Sequence, residues 1–190
     1  VLILLIAGMI VFIYSGTYNI AATEPHSLLV EWVFNTAKKY SVKKHSEHIT
    51  RPKLSDDSLV KAGFDHYENM CSGCHGAPGT EPAEGFNPSP PDLAEEAEEL
   101  SSTELFWVTK NGIKMTGMPA FGLSHSDQEI WSIVAFLKQL PDLTPEDYDA
   151  LKNNGSFDFD IPHEDEEFYK HKHLSNSAIT LAILYFLNIQ

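Results

Sequence analysis

Beyond residue 53 the chain has few basic side chains: residues 54–190 carry seven Lys and Arg against 24 Asp and Glu, whereas residues 1–53 carry six against three. A surface of that sign is repelled by nucleic acid, which argues against a nucleic-acid partner, and it steers toward a positively charged protein face. Strand-like alternation longer than a few residues is missing, and so is any internal repeat, which leaves an all-α reading. Cysteine is scarce. The chain holds 2, Cys71 and Cys74, and no further Cys or His stands at finger-like spacing from them, as a structural zinc site would require. With 190 residues there is room for an anchor and one domain of about 100 residues, but not for a second large domain.

The first 22 residues also lack something, namely charge: Glu24 is the first charged side chain. At ~1.5 Å per residue such a stretch reaches ~33 Å as a helix, enough for the ~30 Å hydrocarbon layer of a bilayer. A cleaved signal peptide is the alternative, with Ala21-Ala22 as a weak cleavage site, but the run exceeds the ~7–15 residues of a signal core. Residues 1–22 are therefore expected to be a retained transmembrane anchor. Val1 in place of an initiator Met implies that residues precede it, so flanking charge does not give the orientation.

Glu24-Pro25 breaks the chain. From His26 to about Lys44, Leu28, Leu29, Trp32 and Val33 recur at helical spacing and lysines gather at the far end, a pattern suited to a membrane surface or to a partner subunit. Arg51 to Ser55 reads as a linker, and Asp56 to Met70 as a short helix running into the cysteines. Five prolines between Pro78 and Pro91 mark a loop. Ser101-Ser102-Thr103-Glu104 and Ser126-Asp127-Gln128-Glu129 both fit the capping box that opens a helix. The first of these helices should stop at Asn111-Gly112 and the second near Leu140-Pro141. Residues 142–167 are acidic and rich in turns. The apolar run Ala178 to Leu187 is too short to span a bilayer.

Cys71-Ser72-Gly73-Cys74-His75 is the strongest motif. The C-x-x-C-H spacing is that of covalent c-type haem attachment, in which two thiols bind the porphyrin edge and the adjoining imidazole binds iron. A disulfide or a thioredoxin-like pair would not need His75, and no strand precedes Cys71 as a thioredoxin-like site demands. With His75 as one axial ligand, a Met sulfur is the expected donor for the other side in an electron-carrying haem. Met118, in the extended Gly117-Met118-Pro119 loop, is the expected ligand and Met115 the alternative; Met70 sits too close to Cys71 to reach the opposite face.

Gly63, Tyr67, the Cys71 to Gly76 motif, Pro91-Asp92-Leu93, Lys110 to Ile113, Gly117 to Pro119 and the Ile130 to Leu140 helix together resemble a bacterial class I cytochrome c. The resemblance covers about residues 55–141. It implies a crossing of the first and last helices at Gly63, Tyr67 and Phe136. It also implies that the Pro91 carbonyl accepts a hydrogen bond from the His75 imidazole, and that Leu93 and Trp107 pack against the haem. The implied organisation is an anchor at 1–22, a juxtamembrane helix and linker at 23–54, a small all-α haem domain at 55–141 and an acidic C-terminal extension at 142–190.

The function expected on this basis is electron transfer by one covalent haem c in a respiratory or related membrane chain, with no enzymatic reaction of its own. A haem-based sensor or small-ligand-binding cytochrome is the alternative. Expected partners are membrane lipid and redox proteins, among them a respiratory complex or oxidase with a basic docking face. The expected location is the bacterial inner membrane, single-pass, with the haem domain on the periplasmic side. The cluster of His163, Glu164, Asp165, Glu166, Glu167, His171 and His173 reads as a solvated tail more readily than as a copper or zinc site.

Overall fold

The structure is a computed structural model and describes residues 1–154. Among these residues there are eight helices and no strand: α1 Leu2–Tyr14, α2 Leu28–Ser46, α3 Asp57–Met70, α4 Ser72–His75, α5 Leu93–Glu99, α6 Ser102–Asn111, α7 Asp127–Leu137 and α8 Pro145–Asn154. Single 3-10 turns lie at Phe121–Leu123 and Leu140–Asp142. The acidic His cluster and the apolar run 178–187 lie outside the described residues.

Helix α1 is 13 residues long, ~20 Å at the usual rise, and falls short of the 22-residue span expected from the sequence. Its end has a local cause. The Ser15 hydroxyl donates to the Phe12 carbonyl oxygen at 2.7 Å, and Gly16 then turns the chain away at φ +66°. No helix among the described residues is long and apolar enough to cross a membrane.

The core forms where α3 crosses α7. On α3 the buried residues Val60, Gly63, Phe64 and Tyr67 follow helical spacing and make one face, and the Asp56 side chain caps the helix by accepting from the Ser58 N–H at 2.9 Å. All residues of α7 from Ile130 to Leu137 are buried. At the crossing, a Cβ on Gly63 would run into the Ser132 carbonyl and lie 2.9 Å from Phe136 Cβ, so the backbones approach as closely as they do only because the side chain is absent. Phe136 meets Tyr67 and Phe64 at ring-centroid distances of 5.1 and 5.4 Å. The expected crossing at Gly63, Tyr67 and Phe136 is therefore present.

Both capping boxes are formed. Ser101 and Glu104 open α6, and Ser126 and Glu129 open α7, each pair satisfying the other's backbone N–H. Helix α6 ends at Gly112, φ +65°. Two elements differ from expectation. Helix α2 packs on the domain instead of standing apart: Val42 and Ser46 are buried, and the His45 ring stacks on Trp107 of α6 at 5.3 Å. Packing also continues beyond residue 141, because Tyr148 and Leu151 of α8 belong to the same core as α3 and α7.

Candidate functional site

The cysteine motif occupies the turn that follows α3. The Cys71 N–H still bonds the Tyr67 carbonyl oxygen at 2.8 Å, and the Cys71 carbonyl accepts from the N–H groups of Cys74 and His75 at 3.0 and 2.9 Å, which winds α4. The motif is thus one helical turn rigidly continued from a core helix. Gly76 closes it at φ +74°; its carbonyl accepts from the Tyr67 hydroxyl at 2.8 Å, and a Cβ there would collide with the Thr80 carbonyl. Burial, and then the negative charge of the neighbouring Cys71, Asp92 and Glu68 when ionised, moves the Tyr67 hydroxyl well above the usual tyrosine range.

Both thiols are free, Cys71 buried and Cys74 exposed. Burial, then the neighbouring Cys74, pushes the Cys71 thiol up to about 12. His75 Nδ1 lies 2.8 Å from the Pro91 carbonyl oxygen. A carbonyl only accepts, so Nδ1 carries the proton and Nε2 keeps its lone pair for a metal. This is the contact the family resemblance implied for Pro91.

Met118 is half-buried, whereas Met115 is 86 % exposed with a left-handed backbone, φ +60°. The Met118 N–H donates to Thr116 Oγ1 at 3.1 Å, and the Ile113 N–H donates to the Met118 carbonyl at 3.3 Å. Leu93 opens α5 and packs on the core from a half-buried position. Trp107 is half-buried and meets His45 of α2, a partner that helix periodicity alone could not name because it lies more than sixty residues away.

Sequence reasoning missed the support given by α8. The Tyr148 hydroxyl donates to Glu68 Oε2 at 2.7 Å, and Lys152 Nζ sits 2.6 Å from Glu68 Oε1. Burial would raise the Glu68 carboxyl, but its bonds to Lys152 and Tyr148 outweigh that and hold it below the ordinary value. The signal was available in Thr144-Pro145-Glu146-Asp147, where Thr144 and Asp147 cap a helix reciprocally. Among the acids ahead of α6, Glu95, Glu98 and Glu99 are exposed on α5, but Glu104 is committed to the capping box. Lys138 Nζ donates to the carbonyls of Ala97 and Leu100 at 2.8 and 2.9 Å, fixing the end of α5 on the core. No group of three or more His, Cys, Asp or Glu among the described residues could hold a metal ion.

Residues 58–137 match the family model described as cytochrome c oxidase, cbb3-type, subunit III. That segment is a little under half of the chain. Among solved structures, cytochrome CL from the marine methylotrophic bacterium Methylophaga aminisulfidivorans is similar at 21 % identity, with 77 % of this chain and 90 % of that chain covered and a TM-score of 0.36. No curated protein matches the chain. The donor set fits a covalent haem: two unpaired thiols one helical turn apart, followed by an imidazole whose Nδ1 is already occupied by Pro91. The family match runs from the second residue of α3 to the last residue of α7, the two helices whose crossing supports the cysteine turn. Over residues 58–137 the chain matches a c-type cytochrome family, and the cysteine turn within that segment has the donor set for a covalently bound c-type haem.

Proposed function

We propose that the chain is a membrane-tethered electron carrier in which Cys71 and Cys74 hold the haem covalently while His75 and Met118 are its axial ligands. The observation that carries this is the 2.8 Å contact between His75 Nδ1 and the Pro91 carbonyl inside the C-x-x-C-H motif. When bound, the haem supplies one-electron iron chemistry. The protein's own residues do the rest. Pro91 fixes the imidazole tautomer and its orientation, and raises its basicity toward a metal. The Tyr67 to Gly76 bond and the α3 continuation hold the thiols in place. Met118 is favoured over Met115 because its backbone is fastened and its side chain is half-buried, while Met115 points to solvent.

The tether is the N-terminal segment. Every residue of α1 is exposed and the helix is wholly uncharged. Leu28, Leu29, Trp32 and Val33 on α2 are exposed as well, and Lys38, Lys39, Lys43 and Lys44 follow on the same helix. Apolar side chains in lipid with lysines at anionic headgroups fit this order. The proposed location is the bacterial inner membrane with the haem domain in the periplasm, beside a respiratory complex or oxidase whose docking face is basic.

Optical spectra of both oxidation states, taken with and without carbon monoxide, test the carrier reading. A carrier with Met ligation shows a near-infrared sulfur-to-iron band when oxidised and takes up carbon monoxide slowly. Rapid uptake without that band would replace the carrier with a ligand-binding or sensor cytochrome.

A further inference from the structure

We propose that Phe86 and Thr116 are positioning residues that clamp the Met118 loop and keep its sulfur in place. This rests on the reading of Met118 as the second axial ligand.

The loop between α6 and the 3-10 turn is held from two sides. On the inner side, Thr116 Oγ1 accepts from the Met118 N–H at 3.1 Å and donates its own proton to the Ile113 carbonyl at 2.8 Å. Gly112, φ +65°, lets this hairpin fold back on the end of α6, since a Cβ there would lie 2.7 Å from both the Met118 carbonyl oxygen and the Pro119 carbonyl carbon. On the outer side the Phe86 ring lies on Gly117, so that a Cβ at residue 117 would meet ring atoms at 3.1 and 3.2 Å. Nothing in the sequence pattern links residue 86 to residue 117; the fold does.

Phe86 belongs to the proline-rich loop that ends at Pro91, the acceptor for His75. One loop therefore reaches the His75 side through Pro91 and the Met118 side through Phe86. Its middle is tied down in turn, because the Asn87 side chain donates to the Glu24 carbonyl at 2.6 Å. Met115 and Gly117 themselves are exposed, so the identified restraints on the loop are few and each should be visible when removed.

The test compares the full-length holoprotein with Thr116→Val, Phe86→Ala, Gly117→Ala and Met118→Ala. The readings are the near-infrared band of the oxidised form and the carbon monoxide association rate of the reduced form. Thr116→Val keeps the shape and removes one hydrogen bond, so carbon monoxide should bind about fivefold faster. Phe86→Ala removes the ring that packs on Gly117 and should accelerate it by about tenfold. Gly117→Ala pushes against the ring from the other side. It should accelerate binding in the parent protein but have little effect in the Phe86→Ala background, a coupling that two unrelated structural lesions would not produce. Should Phe86→Ala fail to fold, as judged by helical circular dichroism, Phe86→Leu carries the same test with a smaller acceleration expected. Rates and band unchanged in the Thr116 and Phe86 variants, while Met118→Ala abolishes the band, would overturn the clamp and leave the ligand assignment standing. A band that survives Met118→Ala would overturn the ligand assignment, and the clamp with it.

Discussion

Gly63→Ala is the substitution with the clearest competition between two physical effects. Gly63 lies inside α3, where alanine is favoured over glycine by about 1 kcal/mol. On an exposed helix face the change would stabilise the protein. Here the new Cβ would overlap the Ser132 carbonyl oxygen, sit 2.6 Å from its carbon, and sit 2.9 Å from Phe136 Cβ. None of these is the far end of a flexible side chain, so relief requires α3 and α7 to part. Overpacking of that kind costs about 1–3 kcal/mol and sometimes more. Because the colliding atoms are backbone, the upper part of that range applies, and the net loss after the propensity gain is about 2 kcal/mol. Parting the helices also loosens the Phe136 contacts with Tyr67 and Phe64. Urea unfolding of the holoprotein, followed by helical circular dichroism, should show a lower midpoint at an unchanged slope. A midpoint equal to or above that of the parent protein would refute the close crossing.

Tyr148→Phe removes the bond to Glu68 and should cost about 1–2 kcal/mol in urea, the range for a hydrogen bond to a charged acceptor that is partly open to solvent. Because the folded Glu68 carboxyl lies below its ordinary 4.5, its contribution is complete above that pH and is lost as pH falls through the lower folded value; an acid-unfolding curve identical in the parent and in Glu68→Gln would contradict this. Proteolytic cleavage before Ser27 should release a soluble, redox-active fragment, whereas cleavage between Glu47 and Arg51 should not, because α2 covers α6 through Val42, Ser46 and His45; size-exclusion chromatography of both fragments checks it. Bimolecular electron transfer with a basic partner should slow as salt rises, the Debye length falling from ~30 Å at 0.01 M to ~8 Å at 0.15 M. Neutralising Glu95, Glu96, Glu98 and Glu99 should flatten that dependence, and a stopped-flow rate indifferent to salt would argue for a permanently assembled complex.

Much of the site could be read from local sequence because it is built locally. The cysteine turn is one turn of helix, and the capping boxes need only four residues each, so Ser101 to Glu104 and Ser126 to Glu129 announced α6 and α7 correctly. The start of α3 was legible from Asp56 for the same reason. Contacts between distant segments were legible only where the family resemblance supplied them, as for Pro91 with His75 and Gly63 with α7. Without that help they stayed hidden: His45 on Trp107, Phe86 on Gly117, and Tyr148 on Glu68 each join segments whose periodicity carries no trace of the partner. The first apolar stretch is a different case. Composition alone gives it enough length to span a bilayer, yet the short polar break Ser15-Gly16-Thr17 ends the helix, because a side-chain bond to the preceding turn and a left-handed glycine are local events that hydropathy does not register.

A single covalently held haem should shuttle one electron reversibly. An optically monitored potentiometric titration of the purified full-length chain tests it directly, preceded by acid–acetone extraction to establish that the haem stays with the polypeptide. Retained haem and one reversible one-electron step, the same in the oxidative and reductive directions, are expected. Extractable haem, two resolved steps, or a reduced form that does not return to its starting spectrum would contradict this.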